Sequence, residues 1–136
     1  MLFTVEFITY QGVYKSIETD KLNIPTSEGR RTILSNHMPI MIPIQIGVIE
    51  TSNNNKTSHY AINGGVLYFD NNIAEIVADD VVDVNEININ EITQEKQITE
   101  EKHKKVRRAN EKHRIQTKLD SLDNLINAYK KYVEVS

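Results

Sequence analysis

Histidines are the side chains of this sequence that could most directly support acid–base catalysis or metal binding. The four of them, at positions 37, 59, 103 and 113, show neither an i, i+4 spacing nor the His-Glu-x-x-His pattern of a metal site. His37 lies two residues after Ser35, but no Gly-x-Ser-x-Gly turn surrounds that serine. We therefore expect no catalytic residue and no metal ligand, and we interpret His37 as a packing or interface residue.

Paired carboxylates and paired glycines could carry two further kinds of chemistry. Asp79 and Asp80 end a predicted strand, where neighbouring side chains point to opposite faces, so we interpret them as solvated charges and not as an acid–base pair. Gly64 and Gly65 precede a strand and lack the pattern of a phosphate-binding loop, which favours a bulge or a close backbone approach. The chain has no cysteine, which excludes disulfides, thiolate ligands and thiol nucleophiles.

One dense cluster of charge, residues 102–114, could bind an acidic protein surface or nucleic acid, or it could be a solvated helix face. Glutamates interleave with its basic side chains, the run contains no aromatic residue, and the pI of the chain is about 5.8. These features argue against nucleic acid as a partner, because single strands bind to basic grooves lined with stacking aromatics. The residues of most interest in the cluster are Lys104, Lys105, Arg107 and Arg108.

The elements that carry these residues fall into two parts. All five glycines and all three prolines lie at or before Gly65. Residues 1–85 hold five basic and ten acidic side chains, whereas the remaining residues hold eleven basic and nine acidic ones. Turn residues therefore stop where helical composition begins, which predicts a boundary near residues 84–90. We divide the chain into a domain over residues 1–86 and a C-terminal domain over residues 87–136.

Short segments of alternating pattern in the first part predict strands. Residues 2–10 alternate apolar and polar side chains, and polar turns such as 52–55 and 70–72 separate later apolar runs. Strands of about six residues at such intervals indicate an all-β sandwich or barrel. The longest apolar run, near residues 38–46, is much shorter than the roughly 20 residues of a membrane helix. With no signal-peptide pattern at the start, we expect a soluble protein.

The second part is predicted to be helical. Asn88 and Glu91 have the spacing of a capping box, and an apolar stripe follows one helix face near the end of the chain. Residues 93–114 are almost entirely polar, so we place a helix break between Glu101 and Asn110. The expected fold is α+β by domains, an N-terminal sandwich followed by a two-helix hairpin or an extended helix pair. The stripe consists of Ile115, Leu119, Leu122, Ile126, Tyr129 and Val133.

Three segments make the chain resemble the ε subunit of F-type ATP synthases. Residues 24–29 and 33–41 are similar to the family's "P-x-x-E-G" and "GIL-P-G-H-A-P-L-L" segments. Residues 62–67 are similar to its "GG-x-L" strand, and residues 76–79 to its "V-x-A-D" strand end. Each motif alone is weak, but their order and spacing are specific, and the resemblance covers the whole chain.

The sequence departs from the family in two places. Arg30 and Arg31 stand where small or acidic residues precede the family's "GIL", and Ser35-Asn36-His37 replaces its "P-G-H". Some members bind ATP through an "I/L-D-x-x-R-A" motif, but here Asn90 replaces the aspartate and Thr93 the arginine. We therefore expect no cofactor and no nucleotide site of that kind.

The resemblance implies a non-catalytic rotor subunit that couples the catalytic head to the membrane ring, in ATP synthesis and proton transport. Its sandwich would contact the γ subunit and the c-ring, and its helices would fold against the sandwich or extend along the stalk. The four basic residues named above would form a regulatory basic helix, which would meet an acidic motif of the β subunits and restrain ATP hydrolysis. The protein would lie at the cytoplasmic face of the cell membrane, without inserting into it. The expected stalk interface is the apolar loop with His37, Met38, Pro39, Ile40 and Met41.

Three other interpretations remain open from the sequence. The chain could be an ε-like subunit of an F-type-derived rotary ATPase that is not coupled to a proton ring. It could also be an orphan interaction module that pairs its apolar helix stripe with another helix, or a nucleic-acid binder that uses residues 102–114. Co-purification separates the last two from a rotor subunit, because a rotor subunit brings γ with it and a nucleic-acid binder brings nucleic acid. The proteins or genes that accompany the chain test the first.

Overall fold

A computed structural model describes residues 1–134, so Val135 and Ser136 of the predicted C-terminal domain lie outside the described residues. The chain divides into two compact units, Met1–Asp83 and a second that begins at Val84. The first unit contains eight strands and the second contains two long helices. The strands are β1 (Phe3–Thr9), β2 (Gly12–Thr19), β3 (Lys21–Thr26), β4 (Gly29–Leu34), β5 (Ile40–Asn53), β6 (Lys56–Asp70), β7 (Ile73–Val77) and β8 (Val81–Asp83).

Asparagine pairs make two of the tight turns of the first unit. Asn54 and Asn55 join β5 to β6 with φ values of 51° and 66°, and Asn71 and Asn72 join β6 to β7 with values of 50° and 58°. Two successive residues with positive φ are typical of the turns that match strand twist, and asparagine tolerates this backbone better than most residues. The two hairpins predicted from the polar runs are therefore confirmed, with longer strands than expected.

The strands form one sheet that folds over into two layers. Its order is β2-β1-β7-β6-β5-β3-β4, and β8 pairs with β6. β5 and β6 have 14 and 15 residues and belong to both layers. Where they are farthest from the turn that connects them, β6 pairs with β7. Nearer that turn, β5 pairs with β3 and β6 pairs with β8. Gly64 lies at the bend with a φ of 110°, and a Cβ atom at Gly65 would overlap the carbonyl oxygen of Val77. The prediction of a close backbone approach at this glycine pair is confirmed.

A single apolar core lies between the two layers. It takes side chains from β1 and β3–β8 and from the β7–β8 connection, and its ring contacts include Phe3 edge-on to Phe69 at 5.5 Å between centroids. β1 pairs in parallel with β7 on one side and antiparallel with β2 on the other, so these three strands lie in the same layer. The buried members of the core are Phe3, Val5, Phe7, Leu22, Ile24, Ile33, Ile42, Ile44, Ile49, Tyr60, Ile62, Leu67, Phe69, Ala74, Ile76, Ala78 and Val81.

Helices α1 (Ile89–Lys105) and α2 (Ala109–Tyr129) form the second unit. The Asn88 side chain caps α1 by accepting a hydrogen bond from the backbone N of Glu91 at 3.2 Å, as the sequence predicted. Val106 and Arg108 adopt extended backbone, which ends α1 and precedes α2. The helix break therefore falls inside the interval predicted for it, although the connection contains neither glycine nor proline.

The two helices pack against each other as a hairpin. Lys96 on α1 contacts Asp123 on α2 at 2.6 Å, and Glu95 contacts Lys118 at 3.0 Å. The hydrogen bond with Asp123 raises the pKa of Lys96. Of the predicted stripe, Leu119 and Leu122 are buried and the other four residues are half-buried, and Val133 lies beyond the end of α2. Of the two arrangements left open by the sequence, the hairpin is the one observed within this unit.

Candidate docking surfaces

The apolar segment predicted as a stalk interface is half loop and half strand. Residues 35–39 form the loop between β4 and β5, which we call loop 35–39, whereas Ile40 and Met41 are the first residues of β5. Met38 and Met41 are 71% and 62% exposed. Ile40 is half-buried and packs against the core, so its description as an exposed loop residue was wrong.

His37 fixes the shape of loop 35–39 from within. Its backbone N donates to the carbonyl of Leu34 at 3.2 Å, and its Nδ1 lies 2.7 Å from the carbonyl oxygen of Met38. Its ring stands edge-on to Phe69, with centroids 6.0 Å apart. The side chain is therefore engaged in packing and in the turn, in agreement with the structural interpretation of this histidine.

A row of apolar side chains crosses the solvent face of the layer that contains β1, β2 and β7. The register places Pro43 beside Val66, Val66 beside Val77, Val77 beside Ile8 and Ile8 beside Val13. We call these five residues the outer apolar row. Each is exposed or half-buried, because the alternate side chains of the same strands fill the core. Met41 and Tyr68 pair in the adjacent row and are 62% and 47% exposed.

Sequence reasoning missed the outer apolar row. Its members come from five strands, and the parallel pairing of β1 with β7, which brings Ile8 beside Val77, cannot be inferred from local alternation. The available signal was that Val66, Val77 and Ile8 occupy the polar phase of their strands and are nevertheless apolar. A continuous apolar strip of this kind on a small domain is typical of a protein interface.

The predicted basic cluster lies at the turn of the helical hairpin. Lys104 and Lys105 end α1, whereas Arg107 and Arg108 belong to the connection before α2. The prediction that all four belong to one basic helix was therefore wrong for Arg107 and Arg108. We call the four residues the basic tip. All four are exposed, and none forms an ion pair with any of residues 1–134. Their positive charges therefore remain available to a partner.

An ion pair and a tyrosine hold the last strand of the first unit. Lys15 Nζ lies 3.2 Å from Asp83 Oδ2, and the backbone N of Asp83 donates to the hydroxyl of Tyr14 at 3.3 Å. Burial lowers the pKa of Lys15, but the hydrogen bond to Asp83 and the nearby Tyr60 outweigh it, so that pKa is raised. β2 therefore holds β8 in place at the point where the first unit ends.

The remaining candidate residues show no convergent chemistry. Asp79 and Asp80 were predicted to end a strand, but β7 ends at Val77 and both residues lie in the exposed connection between β7 and β8. Within residues 1–134 no cluster of three or more histidine or acidic side chains could hold a metal ion. Asn90 lies in the first turn of α1 and Thr93 one turn after its first residue, where the Thr93 hydroxyl donates to the carbonyl of Ile89 at 2.7 Å. No helix among the described residues is long and apolar enough to cross a membrane.

Known proteins with similar sequences and structures agree with this layout. Residues 2–84 match the family model of the ATP synthase delta/epsilon chain beta-sandwich domain. An ATP synthase epsilon chain from Lactobacillus delbrueckii subsp. bulgaricus is 32% identical over 112 residues, which cover 76% of this chain and 77% of that protein. Another, from Latilactobacillus sakei subsp. sakei, is 33% identical over 115 residues, covering 82% and 77% of the two chains.

A solved structure extends the likeness over both units. A chain in the cryo-EM structure of the Euglena gracilis mitochondrial ATP synthase, OSCP/F1/c-ring in rotational state 1, superposes with a TM-score of 0.73. The match covers 91% of this chain and 79% of that one, at 17% identity. The likeness therefore concerns the fold.

Proposed function

The chain belongs to the ATP synthase delta/epsilon chain family. We propose that its two units have separate roles in a rotor subunit. It is a non-catalytic subunit of the central stalk of an F-type ATP synthase, and so part of a membrane-associated complex. In the proposed division, the first unit holds the protein on the stalk and the second restrains hydrolysis. The complex would present this subunit at the cytoplasmic face of the membrane.

The first unit docks on the γ subunit through loop 35–39, Met41 and the outer apolar row. The observation that carries this proposal is the exposure of Met38 and Met41 beside a continuous apolar strip. Leaving this strip in water forgoes roughly 25 cal/mol for every Å² of apolar surface that a partner could cover. The c-ring is the second proposed partner of this unit, because the related Euglena chain belongs to an assembly that contains a c-ring.

The basic tip binds the acidic motif of the β subunits and slows ATP hydrolysis. Its support is the exposure of four positive side chains at one end of the hairpin, which form no ion pair with any of residues 1–134. Charge complementarity gives on-rate and orientation more than affinity, which suits a restraint that must be released.

Deleting residues 88–136 should leave a folded sandwich that binds γ as the full chain does. The core is built entirely from residues 3–81, and the Lys15–Asp83 ion pair that anchors β8 survives the deletion. The measurement is a titration of purified γ with each form, with β-type circular dichroism and a cooperative melt as controls of folding. If the folded fragment binds γ more than tenfold more weakly than the full chain, stalk binding requires the helices. That result would contradict the proposal that the first unit alone binds the stalk.

A further inference from the structure

Two reciprocal hydrogen bonds between a pair of asparagines tie loop 35–39 to the turn between β6 and β7. The backbone N of Asn36 donates to Asn72 Oδ1 at 2.7 Å, and Asn72 Nδ2 donates to Asn36 Oδ1 at 3.0 Å. The two residues are 36 positions apart, one in loop 35–39 and the other in the β6–β7 turn. We call this reciprocal pair the asparagine clasp.

Both members of the asparagine clasp need the left-handed backbone that asparagine tolerates. Asn36 has a φ of 66° and Asn72 a φ of 58°. Glycine could adopt the same backbone with less strain, but it would carry no amide to reach across. Asparagine at both positions therefore supplies the turn conformation and the cross-link at once. Position 36 is also where the sequence departs from the glycine of the family's "P-G-H" segment.

The asparagine clasp connects loop 35–39 to a rigid part of the sheet. The carbonyl of Asn72 accepts a hydrogen bond from the backbone N of Thr4 at 3.0 Å, which fixes the turn to the start of β1. Ser35 adds nothing to this anchorage, because its buried hydroxyl has no hydrogen-bond partner among residues 1–134. The position of the exposed Met38 thus depends on a contact made outside its own loop.

We infer that Asn36 and Asn72 are positioning residues for the stalk interface: their clasp holds loop 35–39 in the conformation that docks on γ. This inference rests on the proposed function, because it assumes that loop 35–39 is part of that interface. A loop that is already ordered before binding loses less conformational freedom on docking, so preorganisation of the loop raises the affinity for γ. Removing the clasp should therefore weaken binding while leaving the sandwich folded.

The test compares γ binding by the full chain and by three single variants. Asn36→Gly and Asn72→Gly keep the left-handed backbone and the Thr4 hydrogen bond. Asn72→Gly removes both hydrogen bonds of the clasp, and Asn36→Gly removes the one that its own side chain accepts. Each should weaken binding to purified γ by about three- to tenfold, the range expected for ordering one or two loop side chains. Asn71→Gly is the matched control, since Asn71 lies in the same turn with a φ of 50°, and its affinity should equal that of the wild type.

Two further readouts separate positioning from general destabilisation. The double variant Asn36→Gly/Asn72→Gly should bind no more weakly than Asn72→Gly alone, because Asn72→Gly already removes both hydrogen bonds of the clasp. Amide exchange at Asn36 should accelerate in Asn72→Gly, while exchange at Ile76 in the core stays slow. Clasp variants that bind γ within twofold of the wild type would overturn the inference, provided that aspartates at Met38 and Met41 abolish binding. If those aspartates have no effect, the proposed loop interface itself fails.

Discussion

Replacing Met38 and Met41 together by aspartate should abolish co-purification of the γ subunit with this chain. Both side chains are largely exposed, so the change costs little in the free protein. Docking would bury the new carboxylates without partners, at a cost of at least about 3 kcal/mol, which corresponds to a hundredfold or greater loss of affinity. Pull-down of γ by the tagged variant, followed by titration, measures the effect.

Ile98→Asp is the matched control for this double substitution. Ile98 is 59% exposed on α1, so the change places the same charge on an exposed apolar residue outside the proposed interface. It should leave γ binding unchanged. Ile40 is kept in both variants because its half-buried side chain packs against the core, and an aspartate there would test folding instead of docking. Normal γ binding by Met38→Asp/Met41→Asp would remove this surface from the interface.

Changing Lys104, Lys105, Arg107 and Arg108 together to alanine should raise the ATP hydrolysis rate of the assembled motor. The four charges have no acidic partner among the described residues, so their removal leaves the hairpin intact and weakens only contacts with other subunits. The difference from the wild type should shrink as salt is added, because exposed charges are screened beyond about 8 Å at physiological ionic strength. Steady-state hydrolysis at low and high salt is the measurement.

A control variant separates the basic tip from net charge. Lys130→Ala/Lys131→Ala removes two exposed positive charges from the residues just after α2, at the opposite end of that helix from the basic tip. Hydrolysis should stay at the wild-type rate in this variant. Equal hydrolysis by the wild type and the four-alanine variant at low salt would show that the basic tip is a solvated turn and that it restrains nothing.

Local features of the fold could be predicted from the sequence because neighbouring residues determine them. Alternation in residues 3–9 and the asparagine-rich turns gave the first strands and the hairpins, and Asn88 gave the start of α1. The stripe on α2 follows from 3.6-residue periodicity, which needs no tertiary information. The interval for the helix break was correct because the polar stretch gains little from remaining one packed helix.

Features that join distant parts of the chain could not be predicted in this way. The outer apolar row depends on the register of β1 against β7, about 70 residues away. The asparagine clasp depends on two turns that meet only when the sheet forms, and each asparagine alone reads as an ordinary turn residue. Arg107 and Arg108 were grouped with Lys104 and Lys105 in a basic helix by resemblance to the family, but they lie in the connection where the chain reverses between α1 and α2.

Purification of the tagged chain from its own cells tests directly whether it is a stalk subunit, because a stalk subunit is held in the assembled motor by its neighbours. We predict that γ is recovered with the chain, together with the catalytic subunits, and that Met38→Asp/Met41→Asp loses all of them. Recovery of the wild-type chain without γ, under conditions in which the motor remains assembled, would contradict it.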